Sequence, residues 1–197
     1  MTPAEPNPRP GDAIGFSGTD FVSDAINLGT LGWPRWGISH IAIVTEHPEH
    51  GICLAESTTM ASQPCLIRGE RVNGAQFQPI KRRVNEYAGR VWHYPLRVPI
   101  GPPMTRELNI ALVDLVENEC GYDYLGAVRS RSMIYAMIRR WKYGREDLET
   151  LFCSELVALA WSRFDLFETT NVSGWNPNAL IRAARKQNII VPPYRWK

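Results

Sequence analysis

The fold of this chain is decided by the stretch ISHIAIV at residues 38–44. This stretch is apolar and rich in β-branched residues, which favours a strand. A turn-forming segment, EHPEHG at residues 46–51, separates it from a second apolar run, ICLAE at residues 52–56. The three segments together predict an antiparallel β-hairpin.

The register of this hairpin decides which side chains meet. If the chain turns about Pro48, Val44 lies opposite Ile52, and His40 lies opposite Glu56. Residues directly opposite in an antiparallel pair share a face, with Cβ atoms about 5 Å apart. This register therefore predicts a carboxylate beside an imidazole, as in sites where a carboxylate orients a catalytic base. A slip by one residue would turn Glu56 to the other face.

The length and the order of the predicted elements indicate one α+β domain. The chain has 197 residues, 44% of them hydrophobic and 21% charged, which is enough for a sizeable core. Strands are predicted at residues 12–16, 38–44, 52–56, 90–94 and 189–191, and residues 65–67 and 76–80 are candidates for either strand or loop. Helices are predicted at residues 21–28, 105–120, 124–141, 152–164 and 177–186. We expect a flexible arm at residues 1–10 and a single domain at residues 11–197.

Composition limits the cellular compartments and the binding partners that we expect for this protein. The net charge is +2, without a strong basic stripe, so we expect no nucleic-acid partner. The four cysteines form no C-x-x-C pair, which favours reduced thiols in a reducing compartment. No secretory signal and no membrane span are visible, so we expect a cytoplasmic protein. The stretch at residues 134–141 could contact a membrane surface peripherally or bind an acidic partner, and the oligomeric state stays open.

The candidate nucleophile is Cys153, within FCSELV at residues 152–157, where a helix is predicted to begin. The free N–H groups and the dipole at a helix start favour the thiolate, which attacks carbonyl carbons. Taken singly, Cys153 is more simply a buried thiol and His40 a structural histidine. Taken together with Glu56, the two residues favour a set of nucleophile, base and orienting carboxylate.

Two other groups of residues have simpler explanations. Zinc could be held by His47, His50, Cys53 and Cys65, but a solvated turn with two ordinary core thiols explains these residues better. The basic run at residues 81–83 is expected to be a solvated face. We therefore expect no metal and no cofactor.

Five short motifs, in their order along the chain, carry a family resemblance. They are GDAI at residues 11–14, SHIAIV at 39–44, AES at 55–57, YDY at 122–124 and FCSELV at 152–157. Together they resemble the circularly permuted papain-like branch of the NlpC/P60 superfamily, the YiiX-like or YaeF-like amidases and their poxvirus relatives. Ordinary papain-like enzymes carry cysteine before histidine, whereas here histidine comes first, as in the permuted branch.

The resemblance implies a small antiparallel sheet packed against helices, with the cysteine at a helix start and the histidine on a facing strand. It implies Cys153 as nucleophile, His40 as general base and then acid, and Glu56 as the residue that orients His40. The backbone N–H of Cys153 would be one oxyanion donor.

Three further positions are candidates for substrate or oxyanion contact by the same resemblance. Tyr122 and Tyr124 are alternatives for a tyrosine near the thiol. Asp12 matches the Gly-Asp element at the first strand and would lie near the cleft, although a structural turn residue is the simpler interpretation.

The function implied is a cysteine hydrolase that cleaves an amide bond through an acyl-thioester. Its substrate would be a peptide, including a cell-wall-type peptide, or an amino-acid conjugate. One alternative is a lipid-directed acyltransferase or thioesterase of the same superfamily, with an acyl substrate. The other is a catalytically silent binding module, including one that is virus- or phage-associated.

Overall fold

The computed structural model describes residues 7–18, 37–58, 63–117, 146–169, 172 and 175–197, with the side chains of residues 146–152 left aside. The strands in these residues are β1 (Ala13–Gly18), β2 (His40–His47), β3 (Gly51–Thr58), β4 (Gly74–Pro79), β5 (Gly89–Tyr94) and β6 (Tyr194–Arg195). The helices in them are α1 (Ile80–Glu86), α2 (Pro102–Glu117), α3 (Glu146–Arg163) and α4 (Pro177–Lys186). The predicted α+β class is confirmed.

The strands form one antiparallel sheet in the order β4-β3-β2-β1-β5-β6. β1 comes first along the chain but lies in the middle of the sheet, where all six of its residues are buried. Gly15 allows this position, because a Cβ there would lie 2.8 Å from the Tyr94 ring and 2.9 Å from Ile38 Cγ2. Such distances are shorter than any ordinary carbon contact, so a larger residue would push β1 out of place.

Both faces of the sheet are covered, which explains why β2 is almost continuously apolar. On one face, Ile41 and Ile43 of β2 belong to the apolar core that also contains Val157 and Trp161 of α3. On the other face, a smaller core is closed by α1 and by the C-terminal Trp196. α3 lies against β2 and β3, the two strands of the predicted hairpin.

The hairpin forms as predicted, but its register is shifted by two residues. Val44 pairs with Leu54 and not with Ile52, and His47 pairs with Gly51 across a turn of three residues. Gly51 closes that turn with a φ of +65°, a left-handed conformation that favours glycine. Because side chains alternate with a period of two, a shift by two residues leaves Glu56 on its predicted face.

The helix predictions have mixed outcomes. α4 is as predicted, and the Asn176 side chain caps it by accepting a 2.8 Å hydrogen bond from the Ala179 N–H. α2 begins at Pro102, three residues before its predicted start. Among the described helices, none is both long enough and apolar enough to cross a membrane. The helices predicted at residues 21–28 and 124–141 lie outside the described residues.

The C-terminal strand prediction is wrong in its extent. Ile190 makes only an isolated bridge to Leu96, and the last strand is the short β6. β6 is preceded by Pro192 and Pro193, which have no backbone N–H to offer a sheet.

Candidate active site

Helix α3 carries Cys153, but not at its start. The helix begins at Glu146, so Cys153 is its eighth residue rather than the second residue of a helix that starts at Phe152. Only the first four backbone N–H groups of a helix lack partners within it, and the dipole effect fades within the first turn. The prediction that a helix start favours the thiolate and supplies a free N–H at Cys153 is therefore wrong.

What α3 does is bring Cys153 against the sheet. The residue is fully buried, in the apolar core shared by α3 and β2. The next residue, Ser154, donates a 2.5 Å hydrogen bond from its hydroxyl to the Trp175 carbonyl. This bond fastens the Cys153 turn of α3 to the segment that leads into α4.

His40 is the first residue of β2, and the chain that leads into it is held in place. The Asn178 side chain accepts a 2.9 Å hydrogen bond from the Ile38 N–H and donates a 3.1 Å bond to the Ile38 carbonyl. Phe16 is the cross-strand partner of His40 on β1, and the two rings lie 5.5 Å apart between centroids. Contacts from α4 and β1 thus fix the start of the strand.

Glu56 and His40 meet as predicted, although not as a directly opposed pair. His40 Nε2 lies 2.6 Å from Glu56 Oε2. The observed register makes the two residues diagonal neighbours, about 7–8 Å apart at Cα, which two long side chains can span. Glu56 is fully buried, whereas the His40 side chain is 15% exposed.

The His40 imidazole also interacts with Cys153, both through a side-chain hydrogen bond and through charge. Burial by itself lowers the pKa of His40, but Cys153 and then Glu56 outweigh burial and raise this pKa from 6.5 to about 9.

Arg83 of α1 engages the far side of Glu56. Its Nε donates to Glu56 Oε1 at 2.7 Å, and its NH2 group donates to Glu56 Oε2 at 3.1 Å. Burial alone would raise the pKa of Glu56. The hydrogen bond and charge of His40, followed by those of Arg83, outweigh burial and lower this pKa from 4.5 to about 2. The carboxylate is therefore ionised throughout the neutral range.

Sequence reasoning missed Arg83, which was expected to lie on a solvated face. The Arg83 side chain is 11% exposed, and its guanidinium carbon lies 5.1 Å from the Phe16 ring centroid and 5.6 Å from that of Tyr87. Spacing along the chain could have revealed this. Ile80, Arg83, Val84 and Tyr87 follow one another at helical intervals, which places Arg83 on the inward face of α1.

Asp12 lies away from this group of side chains. It is buried at the opposite end of β1 from the His40 partner, about 13 Å along the strand. Its Oδ2 accepts from His93 Nε2 at 2.8 Å and from the Arg9 N–H at 2.9 Å, and its Oδ1 accepts from the Leu96 N–H at 2.8 Å. These bonds tie β1 to β5, which supports the structural interpretation of Asp12 over a place in the cleft. The other two candidates, Tyr122 and Tyr124, lie outside the described residues.

The residues considered for zinc divide between the surface and the core. His47 and His50 stack at the hairpin turn with ring centroids 4.8 Å apart. Cys53 and Cys65 are buried, and burial raises the pKa of the Cys53 thiol to about 12. In the described part of the chain, no three His, Cys, Asp or Glu side chains are arranged to hold a metal ion.

Comparison with known proteins finds a likeness among solved structures. No protein-family model matches the chain, and no curated protein matches it. Among solved structures, the chain is similar to the crystal structure of the metalloprotein yiiX from Escherichia coli O157:H7, with a TM-score of 0.48 and 16% sequence identity. The matched region covers 79% of this chain and 66% of that one, so the chain spans slightly less than two thirds of that protein.

Proposed function

We propose that the protein is a cysteine hydrolase in which Cys153 is the nucleophile, His40 is the general base and acid, and Glu56 orients His40. The observation that carries the proposal is that His40 interacts with Cys153 while the buried carboxylate of Glu56 lies 2.6 Å from His40 Nε2. A nucleophile, a base and an orienting group in series are what covalent acyl transfer requires.

The proposed reaction has two halves. The ionised sulfur of Cys153 attacks the carbonyl carbon of an amide, and the C–N bond breaks as His40 gives its proton to the leaving nitrogen. The product of this half is an acyl-thioester on Cys153 and a free amine. In the second half, His40 takes a proton from water, which attacks the thioester and releases a carboxylic acid. The proton on His40 and the ionised sulfur are then restored.

The charge of Glu56 suits both halves. His40 must hold a proton before the amide bond breaks and must be able to accept one afterwards. A buried carboxylate 2.6 Å from Nε2 stabilises the charged imidazole and fixes the direction of the ring.

We also propose that the fold is the circularly permuted papain-like one. The support is the chain order, with the histidine strand β2 before the cysteine helix α3, and the packing of α3 on β2 and β3. A substrate that is a peptide or an amino-acid conjugate follows from the same resemblance.

A panel of acyl compounds tests the proposal. Peptidyl and aminoacyl p-nitroanilides are offered together with esters of the same acyl groups. We expect wild-type protein to hydrolyse amides, and Cys153→Ala to lose about 10³-fold or more of that rate. Cys53→Ala, which removes a buried thiol elsewhere, is the matched control and should keep its rate.

Two outcomes would contradict the proposal. Full hydrolysis by a folded Cys153→Ala protein would show that another group is the nucleophile. Cleavage of esters alone, with the acyl group passed to an added alcohol or amine, would favour a lipid-directed acyltransferase instead.

A further inference from the structure

Arg83 stands at the end of a row of charged side chains from four different elements. Cys153 of α3 interacts with His40 of β2, and His40 interacts with Glu56 of β3. Arg83 of α1 then binds Glu56 through two hydrogen bonds. With an ionised sulfur and a protonated imidazole, the four charges alternate in sign and sum to zero.

The spacing of α1 turns Arg83 toward the sheet and its neighbour Arg82 toward solvent. The preceding residue, Arg82, has the same side chain, is 59% exposed and bonds Glu86 one turn further along α1. Arg83 instead reaches a fully buried carboxylate and is itself only 11% exposed. Burying an ion pair costs so much hydration that apolar residues of equal volume often stabilise a fold as well or better. Stability alone therefore gives little reason for an arginine here.

The two hydrogen bonds from the Arg83 guanidinium to Glu56, which form a fork around the carboxylate, also affect His40. Arg83 binds both carboxylate oxygens of Glu56, and Oε2 is the oxygen that contacts His40 Nε2. A carboxylate held at both oxygens cannot rotate away from the imidazole without breaking two charge-assisted hydrogen bonds. The Phe16 ring contacts both the guanidinium of Arg83 and the imidazole of His40, so it helps to hold the two groups in a fixed relative position.

We propose that Arg83 is a positioning residue of the site, which fixes Glu56 toward His40 and keeps it ionised, so that the charged Cys153–His40 pair persists into acidic solution. This role rests on the proposed function. Arg83 touches neither the sulfur nor the imidazole through a hydrogen bond, and acts through the carboxylate.

The sign of the expected pH effect follows from charge balance. The titratable or charged groups that act on Glu56 are His40 and Arg83, and those that act on His40 are Cys153 and Glu56. Without Arg83, the remaining three charges sum to −1 in a buried site. A buried site with a net negative charge binds a proton more readily, so the charged pair would be lost at a higher pH.

The test measures alkylation of Cys153 by iodoacetamide as a function of pH, read by mass spectrometry on the peptide that contains Cys153. This readout needs no substrate. In wild-type protein we expect reactivity to persist below the pH at which an ordinary thiol ceases to react, and His40→Gln to abolish this acidic reactivity. We call the pH range over which the alkylation rate falls with decreasing pH the acidic limb. In Arg83→Met we expect this limb to move up by about one pH unit or more, so that at a fixed pH within it the rate falls roughly tenfold.

Three further variants separate positioning from mere stability. Arg82→Met removes the neighbouring arginine and should leave the limb unmoved. Arg83→Lys keeps the charge but loses the fork, so the limb should move less than in Arg83→Met and the rate should fall. In a Glu56→Gln background, Arg83→Met should move the limb by less than half as much, because the carboxylate through which it acts is gone.

The outcomes distinguish this proposal from the one on which it rests. If wild-type protein shows no acidic reactivity that depends on His40, the proposed function fails. If that reactivity is present but folded Arg83→Met has the wild-type limb, the role of Arg83 is overturned and the hydrolase proposal stands. Should Arg83→Met not fold, Arg83→Lys decides, and a limb and rate equal to those of wild type would overturn the role.

Discussion

Replacement of Glu56 by glutamine keeps the shape of the side chain and removes its charge. In the folded protein, His40 and Arg83 overcome burial and lower the pKa of Glu56 from 4.5 to about 2. At about 1.4 kcal/mol per pH unit, this difference corresponds to about 3 kcal/mol of stability at neutral pH. Glu56→Gln should lower the free energy of unfolding by about that amount at pH 7.5.

The pH dependence has a definite sign. A carboxylate whose pKa is lower in the folded state stabilises the fold at pH values above its pKa in the unfolded state, here about 4.5. That contribution fades as the pH falls toward 2, the pKa in the folded state. At pH 3 the difference in the free energy of unfolding between wild type and Glu56→Gln should therefore shrink to roughly half of its value at pH 7.5.

Urea unfolding at the two pH values, followed by tryptophan fluorescence, measures both differences. Glu46→Gln, on the exposed part of the same hairpin, is the control and should change stability little at either pH. A loss below about 1 kcal/mol at pH 7.5, or an equal loss at both pH values, would refute the reasoning.

Two further replacements probe the supports of the site. Asp12→Asn replaces an oxygen that accepts two hydrogen bonds with an amide NH2 group, which is itself a donor. We therefore expect the free energy of unfolding, measured in urea, to fall by about 2–4 kcal/mol. Since Asp12 lies at the far end of β1, the rate of Cys153 alkylation should be unchanged, and a fall in a folded variant would contradict this placement. Asn178→Ala removes both hydrogen bonds to the Ile38 backbone and should cost about 1–3 kcal/mol. Because Ile38 leads directly into His40, Cys153 should also be alkylated more slowly in this variant. A wild-type rate would show that the Asn178 hydrogen bonds are not needed to position His40.

Local patterns were enough to predict the parts of the fold that depend on local chemistry. The β-branched run of β2 predicted a strand, and Asn176 followed by Pro177 predicted the start of α4. The His40–Glu56 contact was predicted from a register that was wrong by two residues. The contact survived because an even shift preserves the face, and because both side chains are long enough to bridge a diagonal.

The parts that sequence reasoning missed depend on tertiary structure. The start of α3 at Glu146 was missed because the segment before Cys153 is rich in charged residues, although Leu148, Leu151 and Phe152 have helical spacing. Arg83 was missed because its contact with Glu56 depends on where α1 packs, although its helical spacing from Ile80 and Val84 marks it as the inward-facing member of the basic run. The interaction of His40 with Cys153 joins residues more than a hundred positions apart, so no local pattern fixes it.

The central claim is that Cys153 accepts an acyl group with the help of His40. Its most direct measurement is the intact mass of the protein after exposure to a thiol-reactive acyl probe, followed by peptide mapping. The account predicts a single acyl group on Cys153, absent in Cys153→Ala and strongly reduced in His40→Gln. Acylation of a different residue, or an equal yield in folded His40→Gln, would contradict it.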